Sequence, residues 1–287
     1  MKKSWIHLDY KNCLKFEGDV DDQAKRTLKV LGWVGLFVTW WLISITGLIS
    51  DRILPPPQKV LGSYWELLVG ENYKWAGFAD LLSAIFTKNH LLYHIGFSTL
   101  INFLGYLEAV AIALPLGFII ALYPLPRYLL SNQLNAIRFL PIPAAIGVFI
   151  ALFGIGLSVK VNFLAVGILV YLLPIVVQRV LETDPVYKQT LNTLGATPFQ
   201  KLKHMYIPSV LSRVFVDIIV LVAIGWTYIT VIEVVNNRGG LGGIAVCASR
   251  GRSDIIYSIL LLIILLGTFQ DKLLKRFDKG LFKFKFA

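Results

Sequence analysis

The stretch LLYHIGFSTLINFLGYLEAVAIALPLGFIIALY, from Leu91 to Tyr123, decides the topology of this chain. Its one formal charge is Glu108. As a single α-helix it would rise about 50 Å, well beyond the roughly 30 Å of hydrocarbon in a bilayer. It therefore reads either as two spans or as one span, 105–123, preceded by an interfacial helix. Five further apolar runs flank it, at 30–50, 139–157, 161–177, 214–235 and 255–270. Each approaches the ~20 helical residues that a crossing needs. Barrel strands would be shorter and strictly alternating, and that pattern is absent. Pro115, Pro141, Pro143 and Pro174 lie inside or beside these runs, which points to kinked helices whose freed backbone groups are satisfied within a bundle.

Composition supports a multi-pass membrane protein. Of 287 residues, 56% are hydrophobic and 16% charged, against about 25% charged in soluble domains. The net charge of +11 comes from Lys and Arg at the ends of the apolar runs, a placement that marks topology rather than a nucleic-acid stripe. Those charges also settle the Leu91–Tyr123 question. Six spans with the N-terminus inside put 20 Lys and Arg in the cytoplasm and 8 outside, whereas a seventh span over 91–106 reverses this to 11 against 17. The positive-inside rule selects six spans, with both termini cytoplasmic. The expected organisation is an N-terminal cytoplasmic segment (1–29), an all-α membrane domain (30–276) with a cytoplasmic loop at 179–213, and a basic cytoplasmic tail (277–287).

Residues 1–27 are polar and the first apolar run is too long for a signal h-region, so a cleavable signal peptide is not expected. Cys13 and Cys247 fall on opposite sides and should not pair. The external segment 51–91, with Tyr64, Trp65, Trp75 and Phe78 among charges, suits headgroup depth. No duplicated halves of the kind that build many secondary transporters are evident.

The 179–213 loop carries the clearest functional signal: Tyr187-Lys-Gln-Thr-Leu-Asn-Thr-Leu-Gly195-Ala-Thr-Pro198-Phe-Gln-Lys-Leu-Lys-His-Met-Tyr-Ile207-Pro208. Two short helix-forming runs meet at Gly195, where a reversal with positive φ favours glycine. Pro198 suits the first turn of the second helix. The spacing resembles the cytoplasmic signature of the membrane subunits of ATP-binding-cassette importers: Glu-Ala-Ala, three residues, Gly, nine residues, then apolar-x-apolar-Pro. Met205, Tyr206, Ile207 and Pro208 match its end. Gln189, Thr190 and Leu191 replace Glu-Ala-Ala, so hydrogen bonding remains possible without the acidic charge.

Other segments resemble the nitrate, taurine, sulfonate and bicarbonate branch of those permeases. They are Ile53-Leu-Pro-Pro-Pro-Gln-Lys-Val-Leu61, Arg138-Phe-Leu-Pro-Ile-Pro143, Phe153-Gly-Ile-Gly156, Glu233 with Gly239-Gly-Leu-Gly242, and Gly267 with Asp271. The resemblance implies the type I importer permease fold, a homodimer, two cytoplasmic ATPase subunits, an external solute-binding protein and a bacterial inner-membrane location. It implies that Tyr187, Gln189, Thr190, Leu191, Gly195, Ala196, Pro198, Ile207 and Pro208 contact the ATPase. The chain has no Gly-x4-Gly-Lys-Ser/Thr loop. It should bind no cofactor and catalyse no reaction itself, with ATP and Mg2+ on the partner ATPases.

Ionisable residues inside apolar runs are costly and often functional. Glu108 and Glu233, with Pro141 and Pro143, are candidates for pathway or gating roles, and Asp217 is expected to pair with Arg213 at the helix end. Arg238, Arg250 and Arg252 are candidates for binding-protein docking, a solvated turn being the plain alternative. His90 and His94 lack a third ligand, so an interfacial position is expected rather than a metal site. Gly239–Gly243 reads as a flexible turn. Competing functions are an ATP-independent secondary transporter or channel, a membrane scaffold, and an importer permease for a non-anionic solute such as a vitamin precursor.

Overall fold

The computed structural model describes residues 21–69, 91–235, 239–248 and 251–285, with the side chain of Cys247 excepted. The described residues are helical and contain no strand. The elements are α1 (Asp22–Ile45), α2 (Pro57–Val69), α3 (Leu91–Leu122), α4 (Pro124–Ile137), a 3-10 turn (Ile142–Ala145), α5 (Ile146–Phe153), α6 (Leu157–Leu181), α7 (Pro185–Thr193), α8 (Pro198–Lys201), a π turn (Leu202–Tyr206), α9 (Ile207–Val235), α10 (Leu241–Ala248), α11 (Ser253–Leu281) and a 3-10 turn (Lys283–Lys285).

Among the described residues, five helical stretches are long and apolar enough to cross a bilayer: α1, α3, α6, the unit Pro198–Val235, and α11. A sixth candidate is the pair α4 and α5, bent by 91°. Two expectations change here. Leu91–Leu122 is one continuous helix of 32 residues, neither two spans nor a span with a separate interfacial helix. Residues 139–157 are not a straight span, because Pro141 caps and Pro143 opens a 3-10 turn that separates α4 from α5. Neither proline can donate a backbone hydrogen bond, and Pro141 disfavours helical geometry at Leu140, so α-helix cannot run unbroken from α4 into α5. Pro115 and Pro174 lie within continuous helices. α11 runs to Leu281, into the segment read as a tail.

The core lies where α3, α6 and α9 meet. Gly105, Ala109, Ala113 and Gly117 recur every fourth residue on the buried face of α3. Such a stripe lets helix backbones approach closely in a membrane, where packing rather than water exclusion drives association. A methyl group at Gly105 would sit 2.6 Å from Leu164, and one at Gly117 would overlap Val176, both on α6. The ring of Tyr228 fills the space over Gly167, and that of Tyr106 the space over Gly225. Three helices thus interlock through four pairs of glycine and large side chain. A polar chain ties in α11: Trp226 donates to Gln270 at 2.8 Å, and Gln270 donates to Asn102 at 2.8 Å.

Outside this core, α1 is loosely held, with only Ala24 and Ser44 buried. Trp40 stacks on Tyr257 and donates to the carbonyl of Pro55 at 3.1 Å, which seats the Leu-Pro-Pro-Pro segment between α1 and α11. Trp33, Leu36, Phe103, Leu107, Leu265 and Phe269 stand exposed. Apolar surface on this scale is suited to lipid and would be a liability in water.

Replacing Gly117 with leucine should destabilise the protein by about 1–3 kcal/mol, the usual cost of overpacking. A methyl group at Gly62 on α2 would meet nothing within 4 Å, so Gly62→Ala should be neutral or stabilising by up to about 1 kcal/mol. Thermal unfolding of the two variants in detergent tests the contrast, and equal midpoints would count against the interlock.

Candidate functional site

Two sites stand at opposite ends of the α6–α9 pair. The first is the hairpin 184–208. Asp184 caps α7 by accepting from the N–H of Val186 at 2.8 Å, and Pro185 occupies the first turn. α7 ends in a Schellman motif: the N–H of Ala196 reaches the carbonyl of Leu191 at 2.9 Å, and that of Gly195 reaches Asn192 at 3.0 Å. The motif needs a left-handed residue, and Gly195 supplies φ +68°. Thr197 and Gln200 then close a reciprocal capping box, with Pro198 in the first helical turn. Backbone groups at the turn between the two helices are satisfied locally, while Met205 and Tyr206 root the second arm in the bundle.

No side chain of α7 is buried. Tyr187 (61% exposed), Leu194 (74%) and Phe199 (70%) present apolar surface outward, with Val186 beside them. Gln189, Thr190, Gly195, Pro198, Ile207 and Pro208 are also exposed, while Leu191 and Ala196 are half-buried. The Thr190 hydroxyl donates to the carbonyl of Val186 at 2.9 Å and so is already used. After α8 the chain widens into the π turn, in which the N–H of Ile207 bonds to the carbonyl of Leu202, five residues back. Pro208 can donate no backbone bond and its ring would crowd the carbonyl four residues back. The wider turn accommodates it without ending the helix.

Beneath the hairpin lies an ion cluster that corrects one expectation. Asp217 pairs with Arg179 of α6, whose Nε and Nη2 donate to its two oxygens at 2.7 and 2.8 Å. Arg213 instead donates to Ser209 and to the carbonyl of Glu182. Spacing of four along one helix made Arg213 the obvious partner, but a neighbouring helix brings a guanidinium that meets the carboxylate face on. Hydrogen bonds from Gln178 and Arg179 hold the Glu182 carboxyl below its ordinary pKa.

The second site surrounds Glu233, which is fully buried. Ser98 donates to its Oε1 at 2.7 Å, and the N–H of Gly242 donates to its Oε2 at 2.9 Å. The Ser98 hydroxyl also accepts from the N–H of Leu241 at 3.0 Å, and Nδ1 of His94 accepts from the N–H of Gly240 at 3.0 Å. Lys160, likewise buried, donates to the carbonyl of Gly239 at 2.8 Å and lies 5.0 Å from the centre of the Phe97 ring. The Gly239–Gly242 segment is therefore not the flexible turn that its glycines imply. It is bound down over a carboxylate and an ammonium, and a side chain at Gly240 would overlap the Glu233 carboxylate. Lys160 and Ser98 escaped sequence reasoning. The available signal was a lysine at the head of an otherwise apolar run.

The remaining candidates are dispersed. Glu108 lies mid-way along α3 and half-buried, rather than at the start of a span. Pro141 and Pro143 form the α4–α5 break, and neither is among the hydrogen-bond partners of Glu233. Arg252 is engaged in ion pairs to Glu66 and Asp254 at 2.8 and 3.0 Å, and these carboxylates, Glu66 foremost, raise its pKa. Ser63 also donates to Asp254. Arg238, Arg250, His90, Trp75, Phe78 and Cys13 lie outside the described residues. A groove of about 660 Å³ runs between α9 and α11, lined mainly by apolar atoms around Val222, Trp226, Ile263 and Gly267. The hydroxyls of Thr227, Thr230 and Thr268 at its wall turn back to their own helix carbonyls.

Residues 113–283, which include the hairpin and all but the Ser98, His94 and Phe97 parts of the Glu233 site, match the binding-protein-dependent transport system inner membrane component family. The chain belongs to that family. Among curated relatives, the taurine transport system permease protein TauC of Escherichia coli (strain K12) is 24% identical over 216 residues, covering 75% of this chain and 74% of the relative. The putative aliphatic sulfonates transport permease protein SsuC of the same organism is 25% identical over 254 residues, covering 86% and 89%. Among solved structures, an inward-facing conformation of the MetNI methionine ABC transporter aligns with a TM-score of 0.60 at 20% identity, covering 66% of this chain and 95% of that chain. The structural likeness concerns the fold. This permease is a multi-pass membrane component of an ABC importer.

Glu233→Gln replaces the carboxyl group that accepts from Ser98 and Gly242 beside the buried Lys160 and should cost about 2 kcal/mol, the scale of a charged hydrogen bond. Adding Lys160→Met should recover part of that loss, because the buried ammonium is then no longer left without its counter-charge. Thermal midpoints of the single and double variants check this, and strictly additive losses would show that the two charges act independently.

Proposed function

We infer that the chain forms the solute pathway of an ATP-driven importer for a small sulfonate-type anion, in the bacterial cytoplasmic membrane with both termini inside. The observation that carries the reading is the hairpin: a pre-shaped, exposed apolar ridge within the match to a permease family. It seats in a cytoplasmic ATPase subunit and converts ATP-driven closure into helix movement. Tyr187, Leu194 and Phe199 supply the contact, and Gly195 and Pro198 the shape. With Gln189 at the first signature position, the contact relies on shape and hydrogen bonding rather than on an acidic side chain. The chain catalyses no reaction itself, and ATP and Mg2+ bind the ATPase subunits.

The partners are a second permease copy, two ATPase subunits and an external solute-binding protein. The second copy is supported by the groove between α9 and α11, whose wall hydroxyls are already used and which places Asp271 beside any solute. A pathway for sulfonate is better made between copies. Substrate class rests on the two relatives named for taurine and aliphatic sulfonates. Glu233, with its buried latch, serves the external gate.

Gly195→Val forces a β-branched residue toward left-handed geometry at a cost of about 1–2 kcal/mol and should reshape the ridge. ATPase co-elution should weaken, and taurine uptake into proteoliposomes holding the complete importer should fall at least tenfold. Undiminished co-elution and uptake would remove the hairpin from its coupling role. Uptake of taurine by the permease alone, without ATPase, would overturn the importer reading.

A further inference from the structure

The hairpin reaches the bundle by two roots, and both are stiff. On one side only Glu182, Thr183 and Asp184 separate α6 from α7. Each of the three is tethered: Glu182 accepts from Gln178 at 2.7 Å and from Arg179 at 2.9 Å, the Thr183 hydroxyl donates to the carbonyl of Arg179 at 3.4 Å, and Asp184 caps α7. On the other side α8 passes through the π turn into α9 without a break, with Met205 buried at the turn. One side chain spans the two roots. Arg179 holds Asp217 of α9 with two donors and Glu182 with a third. Arg213 closes the ring from α9 to the carbonyl of Glu182 at 3.3 Å.

We propose that Arg179 is a positioning residue that clamps α6 to α9 at the base of the hairpin, so that a displacement of α7 moves both helices together. The proposal rests on the hairpin being the ATPase seat. Without the clamp, α7 can still bind the ATPase, but its movement is absorbed by rotation of the Glu182–Asp184 link instead of reaching α9. A planar guanidinium is the suitable group, because a fixed fork engages two carboxylates at once where an ammonium offers one point charge. Arg179 and Asp217 are both partly buried, with side chains 32% and 16% exposed, which limits screening by water.

The test uses the complete importer in proteoliposomes, with radiolabelled taurine as probe and variants Arg179→Ala, Asp217→Ala, the double variant and Arg179→Lys. Uptake per ATP hydrolysed should fall about tenfold in each alanine variant, the scale on which residues remote from ligands alter coupling. ATPase co-elution and the thermal midpoint should stay near the wild-type values. The double variant should be no worse than either single one, as expected of two groups acting as a unit. Arg179→Lys, which keeps the charge without the fork, should fold and fall between wild type and alanine; this keeps the test decisive if the alanine variants are unstable. Unchanged uptake per ATP in Arg179→Ala and Arg179→Lys overturns the clamp, and so does a loss that only parallels the thermal midpoint. Wild-type permease that fails to co-elute with its ATPase overturns the hairpin reading instead.

Discussion

Close approach of α3 to α6 is the constraint on which the structure depends. In a bilayer, apolar side chains gain little by leaving lipid for protein, so helices associate where their surfaces fit. The fit here is made by absent side chains. Gly105 and Gly117 admit Leu164 and Val176, while Gly167 and Gly225 admit the rings of Tyr228 and Tyr106. Because α9 is locked to α6 by one of these rings and to α3 by the other, none of the three can slide without expelling a side chain from its slot. Cores packed this way have discrete arrangements rather than a continuum of them.

That rigidity gives meaning to the two polar sites. α6 carries Lys160 near one end and Arg179 near the other, and α9 carries Asp217 and Glu233 in the complementary positions. Each end of the pair is therefore closed by a charged group from each helix, at the cost of desolvating it. At the Glu233 end the backbone of Gly239–Gly242 completes the shell, and at the Arg179 end the link to α7 does so. The glycines at 240 and 242 fit this role, since any side chain there would strike Glu233 or the backbone of Thr230.

Much of this was legible from the residues alone, where local chemistry decides. Gly195 and Pro198 give the helix–glycine–helix hairpin because positive φ and a first-turn proline are local preferences. The four-residue recurrence of Gly105, Ala109, Ala113 and Gly117 was open to view as well, although apolar run length alone does not show it. What stayed hidden depends on neighbours distant in sequence. Asp217 has a basic residue one turn away, yet its partner lies 38 positions back on another helix. Gly239–Gly243 has the composition of a loose turn, and only His94, Ser98, Lys160 and Glu233 arriving from three other helices make it fixed. Leu91–Leu122 is longer than a single crossing needs for a related reason. A 32-residue helix exceeds the hydrocarbon, but its first two turns have somewhere to go, since His94 and Ser98 are bound to the Gly239–Gly242 segment.

The long α3 thus links one end of the bundle to the other. Its first turns help form the Glu233 shell, and its middle and later turns form the slots that hold α6 and α9 in register. In the proposed coupling, a movement entering at the α7 hairpin meets no break in α6 or α9 before it reaches Lys160 and Glu233, because Pro174 leaves α6 continuous and the π turn, with Met205 buried and Tyr206 packed on the core, runs straight into α9. Among the described residues, the helix-to-helix joints nearest this path are the Glu182–Asp184 link and the α4–α5 break at Pro141–Pro143. The first is tied down by Arg179, and the second bears on α6 through the packing of Phe149 against Phe163. On this geometry the hairpin and the Glu233 site are joined through α6 and α9, two continuous helices that the glycine slots hold in register.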